Sequence, residues 1–307
     1  MSAHGRVSYA TAADFERALG DLMARHAASS PYRVPQLRRH FAYGRLLARV
    51  FTHQPDLWVL KGAVGLLTRI PGQARHSIDL DLYFGGQVEA ALEALREAAA
   101  LDLGDFFTFD VERGPVLTGT IGGTQLRVTA YLGDKVFERF RVDVVVTSTM
   151  TAAPEPAPPF EPVRVQGLHS VDYRTHPMAD QIADKVAAMT GTYAGRPSSR
   201  YRDLVDLALI ATTQAIDADA LHAALLSEHR RRGLEPNPHP ALPSADWPEG
   251  YRRIAAQLPG FAYLDATKAV ELVGRLIEPV LAGLTKARWN PERLEWEPAS
   301  PDRRADC

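Results

Sequence analysis

A chain of 307 residues with 35 Lys and Arg against 37 Asp and Glu, net charge −2, is too evenly balanced to coat nucleic acid, so any RNA contact has to be regional. With 46% hydrophobic and 23% charged residues it can bury a full core in one large or two fused domains, which excludes a largely disordered chain. Its one cysteine, Cys307, leaves no internal disulfide and no cysteine-built metal site. No stretch reaches the ~18 unbroken apolar residues of a membrane span, and Met1 to Asp14 lacks a basic segment followed by an apolar run, so a cytoplasmic protein is expected.

Residues 12–28 read as a helix, and Pro35 opens a second. In that helix Leu37, Phe41, Leu47, Val50 and Phe51 have helical spacing, while Arg33, Arg38, Arg39, Arg45 and Arg49 mostly avoid the stripe. Asp56 to Leu60 is a short apolar strand, Gly62 opens a helix through Ile70, and Pro71-Gly72 is a turn. The strand Ser77 to Phe84 follows, then an alanine-rich helix over 87–100 and strands over 106–113, 124–132 and 136–147, with Gly122-Gly123 and Gly133-Asp134 as hairpin turns. The proline-rich run 151–159 is expected to be a linker without regular structure. Helices are predicted beyond it over 177–190, 199–213, 217–231, 248–257 and 264–284, with a proline-rich break from Glu235 to Pro248 and a poorly ordered polar tail from Trp289.

The chemistry concentrates in the strand Ser77-Ile78-Asp79-Leu80-Asp81-Leu82. Alternation puts Asp79 and Asp81 on one face and Ile78, Leu80 and Leu82 on the other. Two carboxylates side by side repel, and in a strand with aliphatic neighbours the pair points to a hard, oxygen-seeking cation such as Mg2+ carrying a nucleoside triphosphate. Asp143, on a later strand opposite a valine face, is a candidate third metal ligand or else a partner of Arg141. Lys61 and Gly62 stand at a strand-to-helix turn, where backbone N–H groups attract phosphate. Ser77 shares the face of Asp79 and is a candidate for phosphate or carboxylate contact. In the second half, Lys185 stands beside a buried stripe of Ile182, Val186 and Met189 and is either a triphosphate ligand or a solvated helix lysine next to Asp184. Asp203 and Asp206 lie three apart on one helical face, as site residues or as partners of the helix dipole. The helix carrying Arg38, Arg39, Arg45 and Arg49 and the cluster Arg230-Arg231-Arg232 are candidate RNA surfaces.

Taken in order, Leu60-Lys61-Gly62-Ala63, Arg75-His76-Ser77-Ile78-Asp79-Leu80-Asp81-Leu82, Gln181-Ile182-Ala183-Asp184-Lys185 and Arg200-Tyr201-Arg202-Asp203-Leu204-Val205-Asp206-Leu207 resemble the AbiEii/MenT nucleotidyltransferase toxins over about residues 30–285. The resemblance implies an α+β protein, with a polymerase-β-like nucleotidyltransferase core on a mixed sheet followed by a helical C-terminal domain. The corresponding division is a core with N-terminal helices over 1–150, a linker over 151–160, a helical domain over 161–288 and a flexible tail over 289–307. It also implies a toxin with a cognate antitoxin that transfers a nucleotide from an NTP, in characterised members onto the 3′ acceptor end of tRNA, which blocks charging and translation.

Position by position, Asp79 and Asp81 match the metal-binding acids, with Mg2+ as the ion and Mn2+ as the alternative. Lys185 matches the nucleotide-phosphate lysine, Ser77 the hydroxyl residue before the acid pair, and Asp203 the later catalytic acid, a role for which Asp206 competes. Ala63 departs from the Gly-Gly or Gly-Ser usual after the first strand, which keeps backbone donation and removes any hydroxyl. The same core could nucleotidylate a protein or a small molecule, transfer a phosphoryl group, or survive as a non-catalytic module that binds antitoxin or RNA.

Overall fold

A computed structural model describes residues 8–116, 122–147, 150–193, 195–234 and 241–299. The chain divides into two compact units, Met1–Ser148 with Pro154–His176, and Thr149–Ala153 with Pro177–Cys307. The first unit runs α1 (Ala12–Ser29), α2 (Val34–His53), a 3-10 turn (Pro55–Leu57), β1 (Trp58–Leu60), α3 (Gly62–Arg69), β2 (Asp79–Phe84), α4 (Val88–Ala99), β3 (Phe107–Val116), β4 (Gly123–Leu132), β5 (Lys135–Val145), β6 (Glu155–Ala157) and β7 (Tyr173–Thr175). Its sheet has the order β3-β4-β5-β2-β1-β7-β6, with β2/β5 and β1/β7 parallel and the other pairs antiparallel.

Alternation decides which sheet face is covered. Leu80, Leu82, Leu126, Val128, Ala130, Val142 and Val144 are buried on one face, against which α2 and α4 pack. The opposite face of the same strands carries Asp79 and Asp81 on β2, Arg139, Arg141 and Asp143 on β5, and Gln125 and Arg127 on β4, all half-buried or exposed.

The second unit contains α5 (Met178–Thr190), a short hairpin of β8 (Thr192–Tyr193) and β9 (Arg196–Pro197), α6 (Tyr201–Thr213), α7 (Ala218–Arg232), α8 (Trp247–Ala255), α9 (Ala266–Leu281), and a hairpin of β10 (Ala287–Asn290) and β11 (Glu295–Pro298). Helix α5 is buried almost all round, packing on α6 and α7. Among the described residues no helix is long and apolar enough to cross a membrane.

Four sequence expectations change. The run 151–159 holds β6, because Pro156 stands on the edge strand, where its missing N–H interrupts no ladder. Residues 161–176, expected in the helical domain, belong to the first unit and include β7. The expected tail folds into β10 and β11 around Trp289, which is 1% exposed and donates Nε1–H to Ala211 O at 2.7 Å; the tail beyond 299 and Cys307 lie outside the described residues, as do 235–240 of the proline-rich break. Gly122-Gly123 is not a turn: Gly123 begins β4, where a Cβ would lie 2.2 Å from Val144 O, so only glycine lets β4 and β5 approach.

Candidate active site

The acid face is built by register. In the parallel pair β2/β5, Asp79 stands opposite Arg141 and Asp81 opposite Asp143, so all four side chains share the open face. Arg141 Nε donates to Asp79 Oδ1 at 2.8 Å, and Gln125 Nε2 donates to Asp143 Oδ1 at 2.9 Å. Arg141 thus pairs with Asp79, and not with Asp143 as the alternative to a metal-ligand role for Asp143 required. Burial, helped by the negative charge of Asp79, pushes Asp143 above the usual carboxylate range despite its hydrogen bond from Gln125.

Lys61 and Gly62 join this face through β1. Lys61 N donates to Asp81 O at 2.9 Å, and α3 begins at Gly62 with φ of 64°. A Cβ on Gly62 would lie 2.0 Å from Asp81 Oδ2, so the carboxylate fills the space that any other residue would need. The helix N-terminus favours negative charge at this point, whether carboxylate or phosphate.

Asp79, Asp81 and Asp143 gather their carboxylates at the β2 side of this face, an oxygen donor set of the kind a hard cation seeks. Yet among the described residues no three His, Cys, Asp or Glu side chains converge tightly enough to hold an ion, so Asp79, Asp81 and Asp143 do not form a ready three-ligand cage. Mg2+ commonly takes one or two carboxylates and completes its shell with substrate phosphates and water, a demand that Asp79 and Asp81 fit.

Ser77 is 6% exposed, and its hydroxyl donates to Asp79 O at 2.8 Å, fixing the entry to β2. The neighbouring His76 Nδ1 is 2.7 Å from His40 Nε2 on α2. Burial, with the charges of His76 and Arg39 on His40 and of Arg39 and Arg75 on His76, lowers His40 to about 3 and His76 to about 4, so both are neutral near pH 7.

In the second unit Lys185 is 7% exposed, which removes the solvated-lysine reading. Its Nζ donates to Asp206 Oδ2 at 2.5 Å and to Asp203 Oδ1 at 3.2 Å, while Arg200 Nε donates to Asp203 Oδ2 at 2.6 Å. Asp203 and Asp206 thus both hold the lysine and differ in setting: the Asp206 side chain is fully buried, whereas Asp203 is shared with the half-exposed Arg200.

Both candidate RNA surfaces are corrected. Arg45 and Arg49 are core residues, 3% and 0% exposed, and both donate to the carboxylate of Asp105 at 2.7 Å. Burial alone would raise Asp105, but its bonds to Arg49 and Arg45 hold it below the usual carboxylate range. Arg38 donates to Phe137 O and lies over its ring, and Arg39 pairs with Glu138. Arg231 and Arg232 are tied to Glu228 and Asp184, leaving Arg230 exposed. Sequence reading passed over Arg127 and Arg139, although strand alternation places both on the face of Asp143.

Comparison with known proteins adds a family match and a structural likeness. The family described as "Nucleotidyl transferase AbiEii toxin, Type IV TA system" matches residues 45–271. Among solved structures, the chain is similar to a crystal structure from H. pylori described as a "putative nucleotidyltransferase", at 17% identity and a TM-score of 0.46, covering 80% of this chain and 96% of that one. A comparison with curated proteins found no match.

Proposed function

Because the chain belongs to the AbiEii nucleotidyl transferase toxins of type IV toxin–antitoxin systems, we propose that it moves a nucleotide from an NTP onto the 3′ acceptor end of tRNA, blocking aminoacylation and translation. It is a nucleotidyltransferase, and a toxin of this class has an antitoxin as its partner. The observation that carries the proposal is the acid pair of β2 set against the glycine turn that opens α3.

Asp79 and Asp81 are the residues that would hold Mg2+, with Mn2+ as the alternative, and the ion would neutralise triphosphate oxygens. The Lys61-Gly62 turn presents backbone N–H groups to the phosphates, and Ser77 keeps the acid strand in place. Asp143, raised above the usual carboxylate range, is suited to take the proton of the attacking 3′ hydroxyl. Lys185, positioned by Asp206 and linked through Asp203 to Arg200, is the second unit's candidate phosphate-binding cation. The acceptor oxygen would bond to the α-phosphorus as the bond to pyrophosphate breaks, and pyrophosphate leaves with that electron pair.

Pure protein incubated with α-labelled NTPs and total RNA tests the assignment. Label is expected at tRNA 3′ ends and is lost in Asp79→Ala; label appearing only in protein would remove tRNA as the acceptor.

A further inference from the structure

The open face of the sheet extends beyond the acids. On β5, Arg139 and Arg141 alternate with buried Phe140 and Val142, and on β4 Arg127 alternates with buried Leu126 and Val128. Register sets Arg127 directly opposite Arg141, and Thr129 opposite Arg139, so three guanidiniums crowd one patch. All three arginines are exposed. Directly opposed side chains in such a pair have Cβ atoms about 5 Å apart, and like charges in that position destabilise the sheet. Arg141 is partly relieved by Asp79. Among the described residues, the side chains of Arg127 and Arg139 make neither an ion pair nor a hydrogen bond, although on β3 Glu112 stands directly opposite Arg127 and Asp110 opposite Thr129. The three arginines thus stand on β4 and β5, with acids on β2 to one side and on β3 to the other.

In-line displacement gives the patch a use. The attacking oxygen and the departing pyrophosphate must lie on opposite sides of the α-phosphorus. The glycine turn proposed to hold the triphosphate follows β1, on one side of β2, whereas β5 and β4 lie on the other. An acceptor strand therefore has to arrive over β5 and β4, where Arg127, Arg139 and Arg141 are.

We propose that Arg127 and Arg139, with Arg141 beside the acids, form the acceptor site, binding successive backbone phosphates of the RNA 3′ end so that its terminal hydroxyl faces Asp143. The inference rests on the RNA-acceptor reading given above. An RNA backbone supplies the repeated negative charge that separates the opposed guanidiniums, whereas a protein acceptor would not.

The double variant Arg127→Ala/Arg139→Ala, its Arg→Lys counterpart and the unsubstituted chain are compared with tRNA as acceptor and one α-labelled NTP, over a series of KCl concentrations. The KM for tRNA is expected to rise about tenfold or more in the alanine variant, with a salt dependence of log kcat/KM shallower by about 1 to 2. NTP affinity, measured by equilibrium dialysis without RNA, should stay within about twofold, and the lysine variant should recover most of the loss. An unchanged KM and salt slope in the alanine variant, while RNA is still labelled, would overturn the surface and leave the RNA-acceptor reading intact. A matching loss of NTP affinity would also overturn it, since the arginines would then serve the nucleotide. Absence of RNA labelling by the unsubstituted chain would overturn both.

Discussion

Gly62 shows how little freedom the site leaves a single residue. Its φ of 64° and the 2.0 Å that would separate a Cβ from Asp81 Oδ2 make Gly62→Ala doubly costly. Nucleotide transfer in that variant is expected to fall by at least about 100-fold, with a stability loss of about 1–3 kcal/mol in urea unfolding. A second residue-scale prediction concerns acid. His40 and His76 are held at about 3 and about 4, below the ordinary 6.5, so between roughly pH 4 and 6.5 the unfolded chain binds protons that the folded chain refuses. Their contribution is complete above pH 6.5 and is lost as the pH falls through that window. His40 sits among Tyr32, Tyr43 and Phe160, which makes His40→Phe a fitting replacement. The fall in unfolding free energy between pH 7 and pH 5 should shrink by about 2 kcal/mol in that variant. Asp79, Asp81 and Gly62 were legible in the sequence because alternation and a strand-to-helix turn are local patterns. The His40–His76 pair was not, since nothing local links residues 36 positions apart.

Among the elements, α2 was read correctly as a helix and wrongly as a surface. Its apolar stripe is real, but Arg45 and Arg49 turn inward because Asp105, 60 and 56 residues away, offers one buried carboxylate to both. Arginine in a helix looks solvated until its acid is known, and periodicity carries no information about that acid. Asp105→Ala would strand two buried guanidiniums and is expected to cost about 3–5 kcal/mol in urea unfolding. The same limit applied to α5 and α6. The family resemblance put Asp203 first, with Asp206 as its competitor, whereas the geometry gives Asp206 the shorter bond to Lys185 and full burial.

At the scale of the whole molecule, the mixed sheet and the helical C-terminal half were legible from the order of strand-like and helical runs. The two short pairings, β6/β7 and β10/β11, were not, because three or four residues are too few to establish a period and proline argued against both. Trp289 closes the second unit through its bond to Ala211 and its edge contact with Trp296 at 5.6 Å. Trp289→Ala is expected to cost about 3–5 kcal/mol, seen as a lower urea midpoint, which a disordered tail would not show.

The central claim, metal-dependent nucleotide transfer to tRNA from the acid face of β2, is tested most directly by expressing the unsubstituted chain and Asp79→Ala without antitoxin, scoring growth and sequencing tRNA 3′ ends in the same cells. Growth arrest with extended 3′ ends is expected for the unsubstituted chain, and neither for a folded Asp79→Ala. Arrest that persists in Asp79→Ala, or arrest with unaltered tRNA ends, would contradict it.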